Sequence, residues 1–111
     1  MPVSKEIALR ILQGLKSPLR AFIFEEWDIS VSEVTNILRS LGLADFFSMK
    51  RLPARRIYVL EIRKQPCIVE CRYGRCRDDP HCYEVCLMDC INSRTKTIIE
   101  KLKKYISEMH E

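Results

Sequence analysis

"ISVSEVTNILRSLGL", residues 29–43, is the stretch whose reading decides the fold of this chain. Ser30 and Glu33 have the spacing of a capping box, in which the hydroxyl accepts from a backbone N–H three residues on and the carboxylate reaches back. Ile29 and Val34 stand at the two positions of a hydrophobic staple. Val34, Leu38 and Leu41 recur at i, i+4 and i+7, one apolar stripe of a helix. Gly42 can adopt the left-handed conformation that ends a helix. Together these signals predict a helix over Val31–Leu41, with Ser32, Thr35, Asn36 and Arg39 on its outward face.

Working outward, residues 5–15 read as an earlier helix, with Ser4 as its cap and Ile7, Ile11, Leu12 and Leu15 on one face. "KSP" then restarts the chain. Ser17 suits an N-cap and Pro18 the first helical position, where a missing N–H costs nothing. A second helix is expected from Pro18 to about Glu26, with Leu19, Phe22 and Ile23 inward and Trp27 at the following turn. Downstream, "ADFFSMKRLPARRIYVLEI" places aromatic and β-branched residues on both sides of a proline-containing turn. It predicts two antiparallel strands, about 45–50 and 56–62, whose hairpin tip carries Lys50, Arg51, Arg55 and Arg56.

Three helices followed by a basic β-hairpin is the element order of a winged helix–turn–helix domain. "LRAFIFEEWDISVSEVTNILRSLGL" resembles the helix–turn–helix of that family, with the "GL" that leads into its wing. The resemblance covers residues 4–62 and implies a mainly α fold with a small β-hairpin wing (α+β). It also implies a mechanism. The recognition helix enters the major groove, where Ser32, Thr35, Asn36 and Arg39 would face base edges. Asn can pair bidentately with adenine and Arg with guanine. Lys50, Arg51, Arg55 and Arg56 would contact phosphates, adding affinity without sequence information. One departure is the bulk of Phe22, Ile23, Phe24 and Trp27, which suggests a further packing surface such as a dimer contact.

Charge is segregated in a way that fits such a contact. The whole chain of 111 residues carries a net charge of +4. Residues 48–77 hold nine basic side chains against Glu61 and Glu70, a local +7, while the segments on either side are weakly acidic. Such a block is the electrostatic footprint of a nucleic-acid partner. No apolar run is long enough to span a membrane, and the first residues lack the apolar core of a signal peptide. A cytoplasmic location is therefore expected. Two Asn, two Gln and 31% charged residues fit a thermophilic source.

All six cysteines fall in residues 67–90, "CIVECRYGRCRDDPHCYEVCLMDC". Folded at the turn sequence "RDDPH", the segment brings Cys76 to Cys82, Cys71 to Cys86 and Cys67 to Cys90. The paired numbers sum to 157 or 158, so the register is nearly constant. The twin C-x3-C pattern resembles small helical hairpins zipped by disulfides. A second reading stays open. Four thiolates in an arginine-rich loop suit a [4Fe–4S] cluster, with Cys67, Cys71, Cys76 and Cys82 as ligands. A winged helix followed by such a cluster resembles the beta subunit of archaeal transcription factor E, which implies docking on RNA polymerase. Zinc, with His81 as an optional ligand, is a third reading, although the C-x2-C knuckles typical of zinc sites are absent. A catalytic use of Cys76, Cys82 or His81 lacks an orienting third group, so no enzyme is expected.

A last helix is expected over about Ser93–Met109, with Ile98, Ile99, Leu102, Tyr105, Ile106 and Met109 on one stripe. That stripe either packs inside the chain or forms the seam of a homodimer. The combined expectation is a DNA-binding unit at residues 4–62, bound to double-stranded DNA and acting in transcription. Residues 63–111, a cysteine-rich helical hairpin plus a C-terminal helix, would stabilise or dimerise it. The chemistry fits an archaeal or viral regulator.

Overall fold

Residues 21–25, AFIFE, alternate in burial: Phe22 and Phe24 lie inward, Ile23 and Glu25 outward. This is the period of a strand, and in the structure, a computed structural model that describes residues 4–18 and 20–108, Ala21–Glu25 is β1. The helix expected over Pro18–Glu26 is therefore corrected to a turn and a strand. Two features explain the change. Arg20 takes a positive φ of 51°, which turns the chain out of the preceding helix. Phe24 then stacks at 5.4 Å on Tyr58 across the sheet that this strand joins, and Phe22 stacks at 5.2 Å on Phe24 along β1. Cross-strand aromatic packing outweighs a local helix-start signal. Leu19, expected to point inward, lies outside the described residues.

The first helix, α1, spans Ser4–Lys16 and buries Ile7, Ala8, Ile11, Leu12 and Leu15. Gly14 lets it approach β1 backbone to backbone: a Cβ there would stand 2.7 Å from the Ala21 carbonyl oxygen. The second helix, α2, spans Val31–Ser40. A single 3-10 turn, Ala44–Phe46, leads into strand β2, Phe47–Arg51, which returns as β3, Ile57–Ile62. The hairpin is thus as expected, with its first strand starting two residues later. The sheet order is β1-β3-β2, antiparallel throughout, with Phe22 opposite Leu60, Phe24 opposite Tyr58 and Met49 opposite Leu60.

Beyond the sheet, α3 spans Gln65–Val69 and runs on as a π-helical turn over Glu70–Arg75. The chain then reverses into α4, Pro80–Glu108. Asp79 caps this helix, its carboxylate accepting from the backbone N–H groups of His81 and Cys82. The expected helix over Ser93–Met109 is corrected accordingly: no Gly or Pro interrupts residues 81–108, so the second arm of the cysteine hairpin and the C-terminal helix are one 29-residue rod. At 1.5 Å per residue it is about 43 Å long, and the molecule extends 49 Å along its longest axis.

The rod belongs to two cores. Ile98 and Leu102 are fully buried in the main cluster with Ile7, Ile11, Leu15, Ile29, Val34, Leu43 and Leu60, and Ile99, Tyr105 and Ile106 pack against that cluster. The apolar stripe is thus taken up inside the single chain, largely by α1. Met109 lies outside the described residues. At the other end the cysteines form their own cluster. Three disulfides join Cys67 to Cys90, Cys71 to Cys86 and Cys76 to Cys82, with Cα–Cα separations of 5.7, 5.7 and 5.4 Å. These are the three pairs of the register reading. Among the described residues no helix is long and apolar enough to cross a membrane.

Candidate nucleic-acid interface

The N-terminus of α2 is built as its sequence requires. The Ser30 hydroxyl accepts from Glu33 N–H at 3.1 Å, and the Glu33 carboxylate accepts from Ser30 N–H at 3.2 Å. Val34, Ile37 and Leu38 are buried. Successive helical residues are about 100° apart, so this inward face leaves Ser32, Thr35, Asn36 and Arg39 on the opposite side. Ser32, Asn36 and Arg39 are exposed, whereas Thr35 is half-buried. Gly42, at φ 70°, ends the helix in the left-handed conformation. Arg10 fixes the turn before α2 from outside, donating to Asp28 at 2.6 Å and to Glu6 at 3.1 Å. The Asp28 hydrogen bond raises the Arg10 guanidinium above its ordinary pKa.

The hairpin carries its cations at the tip. The Leu52 N–H donates to the Ile57 carbonyl at 2.9 Å, and Arg55 N–H to Leu52 at 3.3 Å, closing the turn. Lys50 and Arg51 are adjacent on β2, opposite Val59 and Tyr58. Neighbours on a strand point to opposite faces, so the two cations fork around the sheet. Arg55 and Arg56 sit in the turn itself, and all four residues are exposed. Both ion pairs among the described residues belong to Arg10. Among the described residues no carboxylate forms an ion pair with the hairpin tip.

Arg63 and Lys64 follow directly on β3 and are also exposed. Residue-by-residue reading left them out of the contact set, although they contribute to the local excess of positive charge. No hydrogen bond or ion pair joins the polar face of α2 to the hairpin tip among the described residues. The two patches are presented separately by the scaffold.

The disulfides engage Cys67, Cys71, Cys76 and Cys82, the four residues that the cluster reading assigns to iron, so the two arrangements exclude each other in one molecule. His81 is exposed at the start of α4. The chain matches no known protein family, no curated protein and no solved structure.

Proposed function

We propose that this chain is a small DNA-binding protein acting in transcription, using α2 as the recognition helix and the β2–β3 hairpin as a wing. The observation that carries the reading is the hairpin tip: Lys50, Arg51, Arg55 and Arg56 are exposed with no carboxylate partner among the described residues. A concentrated, unneutralised cationic turn on a stiff two-stranded support is suited to a phosphate backbone. Helix, strand, helix and hairpin in that order, with β1 closing the sheet, support the winged-helix reading. The departure is the helix before α2. Its place is held by β1 and a turn in which Asp28 and Ile29 donate to the Glu25 carbonyl.

In this reading Asn36 and Arg39 probe base edges, Ser32 lies beside them and Thr35 is partly withdrawn. The test is duplex-DNA binding by fluorescence anisotropy across a salt series. Affinity should fall steeply with salt, and Arg55→Ala with Arg56→Ala should reduce the logarithmic slope by about 0.9 per lost phosphate contact. Absence of binding at low salt, or binding indifferent to salt, refutes the proposal and redirects attention to a protein partner such as RNA polymerase.

A further inference from the structure

The free edge of β1 is an unguarded apolar feature of this surface. Among the described residues β3 alone pairs with β1, so the other side of the strand has no ladder partner. Folded proteins blunt such edges with charge, proline, bulges or a cover. The opposite edge of the sheet, β2, carries Lys50 and Arg51. Within Ala21–Glu25 only Glu25 is charged. Ile23 is 53% exposed there and Trp27, just beyond, is 80% exposed. The Trp27 indole N–H donates to the Glu25 carboxylate, which holds the ring beside the edge. A groove follows this border, lined by Gln13, Phe22, Ile23, Glu25, Trp27 and Ile57 among others.

Backbone parity identifies the groups on offer. Glu26 N–H donates to the Arg56 carbonyl, and Phe24 and Phe22 face Tyr58 and Leu60 in the same register. Residues that exchange bonds alternate with those that do not in an antiparallel pair. Even-numbered residues of β1 therefore aim at β3 and odd-numbered ones at the edge. Ile23 is the centre of what is on offer there, because the Glu25 carbonyl already accepts from Asp28 and Ile29 N–H and the Ala21 carbonyl lies against Gly14 of α1.

We propose that this edge pairs antiparallel with β1 of a second copy of the chain, with Ile23 on the twofold axis. In that register Ile23 opposes Ile23 and the two exchange reciprocal N–H···O=C bonds. Ala21 faces Glu25, Phe22 faces Phe24, and Arg20 faces Glu26 of the second copy. The last pairing supplies charge complementarity at both ends. Among the described residues the Arg20 side chain bonds only the neutral Asn92 side chain, at 2.9 Å, and Glu26 is exposed without an ion-pair partner. An axis at Glu25 would set two carboxylates directly opposite each other. Pairing merges two three-stranded sheets into one of six strands and covers Ile23. It stands independently of the DNA reading.

The test is sedimentation of the full oxidised chain, without DNA, from micromolar to submillimolar concentration. The wild type should be a dimer. Ile23→Lys, at an exposed position, should be a monomer with an unchanged circular dichroism spectrum. Arg20→Glu and Glu26→Arg should each weaken association by about tenfold, and the double exchange should restore it. A wild type that stays monomeric, an Ile23→Lys variant that stays dimeric, or a double exchange no better than its parents overturns the proposal.

Discussion

Cys76 donates its backbone N–H to the carbonyl of Cys71, five residues back, at 3.0 Å. That one bond explains how three cysteines with unequal spacing serve one seam. Cys67 and Cys71 are a regular helical turn apart. In an α-helix Cys76 would then overshoot Cys71 by about 140° and face away. An i→i+5 turn instead stacks the fifth residue close to the first. The π turn over Glu70–Arg75 thus returns Cys76 to the face of α4, where Cys82 waits.

Peptide mapping without reduction should recover the pairs Cys67–Cys90, Cys71–Cys86 and Cys76–Cys82, and no others. The Cys67–Cys90 pair spans 23 residues and Cys76–Cys82 only six. Loop-closure entropy makes the longer loop worth more, about 3 kcal/mol against somewhat less. Replacing Cys67 and Cys90 together by Ser should therefore lower the melting temperature more than replacing Cys76 and Cys82. The reverse order would show that the short loop, by holding the π turn, matters more than chain entropy. Detection of bound iron with these thiols reduced would instead favour the cluster.

Asn36 and Arg39 are exposed on α2, and among the described residues neither side chain has an ion-pair partner that would be lost on substitution. Asn36→Ala and Arg39→Ala should leave thermal stability almost unchanged. In competition between DNA sequences each should alter preference, with about 1–3 kcal/mol at stake per base contact. Equal weakening on every sequence would reassign both residues from base reading to backbone contact.

What the sequence made legible, and what it hid, follows from the range of the interactions. The α2 boundary rests on Ser30 and Glu33, three residues apart, and it was readable. The disulfide pairs were readable because one turn at "RDDPH" sets a common register for all of them. β1 was not, because Ser17-Pro18 is a good local helix start. What overrides it is pairing with Leu60 and Tyr58, nearly forty residues away. The joining of the cysteine arm to the last helix was missed for the opposite reason: nothing in "MDCINSRTK" breaks a helix, and the division came from treating the cysteines as a separate unit. For the candidate site, residue types and exposure were legible. The half-burial of Thr35 depends on tertiary packing and was not.

Gly14 offers a test of the α1–β1 contact. Glycine inside a helix is normally a liability, and alanine there should gain about 1 kcal/mol. Here the added Cβ would lie 2.7 Å from the Ala21 carbonyl oxygen and 2.9 Å from the Phe22 Cα, both backbone atoms. Neither can move without shifting the strand. Gly14→Ala should therefore destabilise the chain by about 1–3 kcal/mol in denaturant titration, the range for overpacking. A stabilised variant would mean that α1 and β1 are further apart than the structure places them.

Leu102 decides between two uses of the C-terminal helix. It is fully buried in the main core, one turn beyond Ile98, on the face of α4 that meets α1. If that helix were the seam of a homodimer, Leu102→Asp would release a folded monomer. From its position in the core the expectation is different. The substitution removes a side chain whose loss to alanine alone costs about 2–5 kcal/mol, and it places a carboxylate where no cation is paired with it. Burying an unpaired charge adds several kcal/mol. Against a total stability of about 5–15 kcal/mol for a domain, the main core should unfold. Near-ultraviolet circular dichroism should lose its signal, while the disulfide hairpin, held covalently, keeps part of the helical signal in the far ultraviolet. A Leu102→Asp protein that melts cooperatively near the wild-type temperature would show that α4 does not close this core, and would return the stripe to an interface between copies.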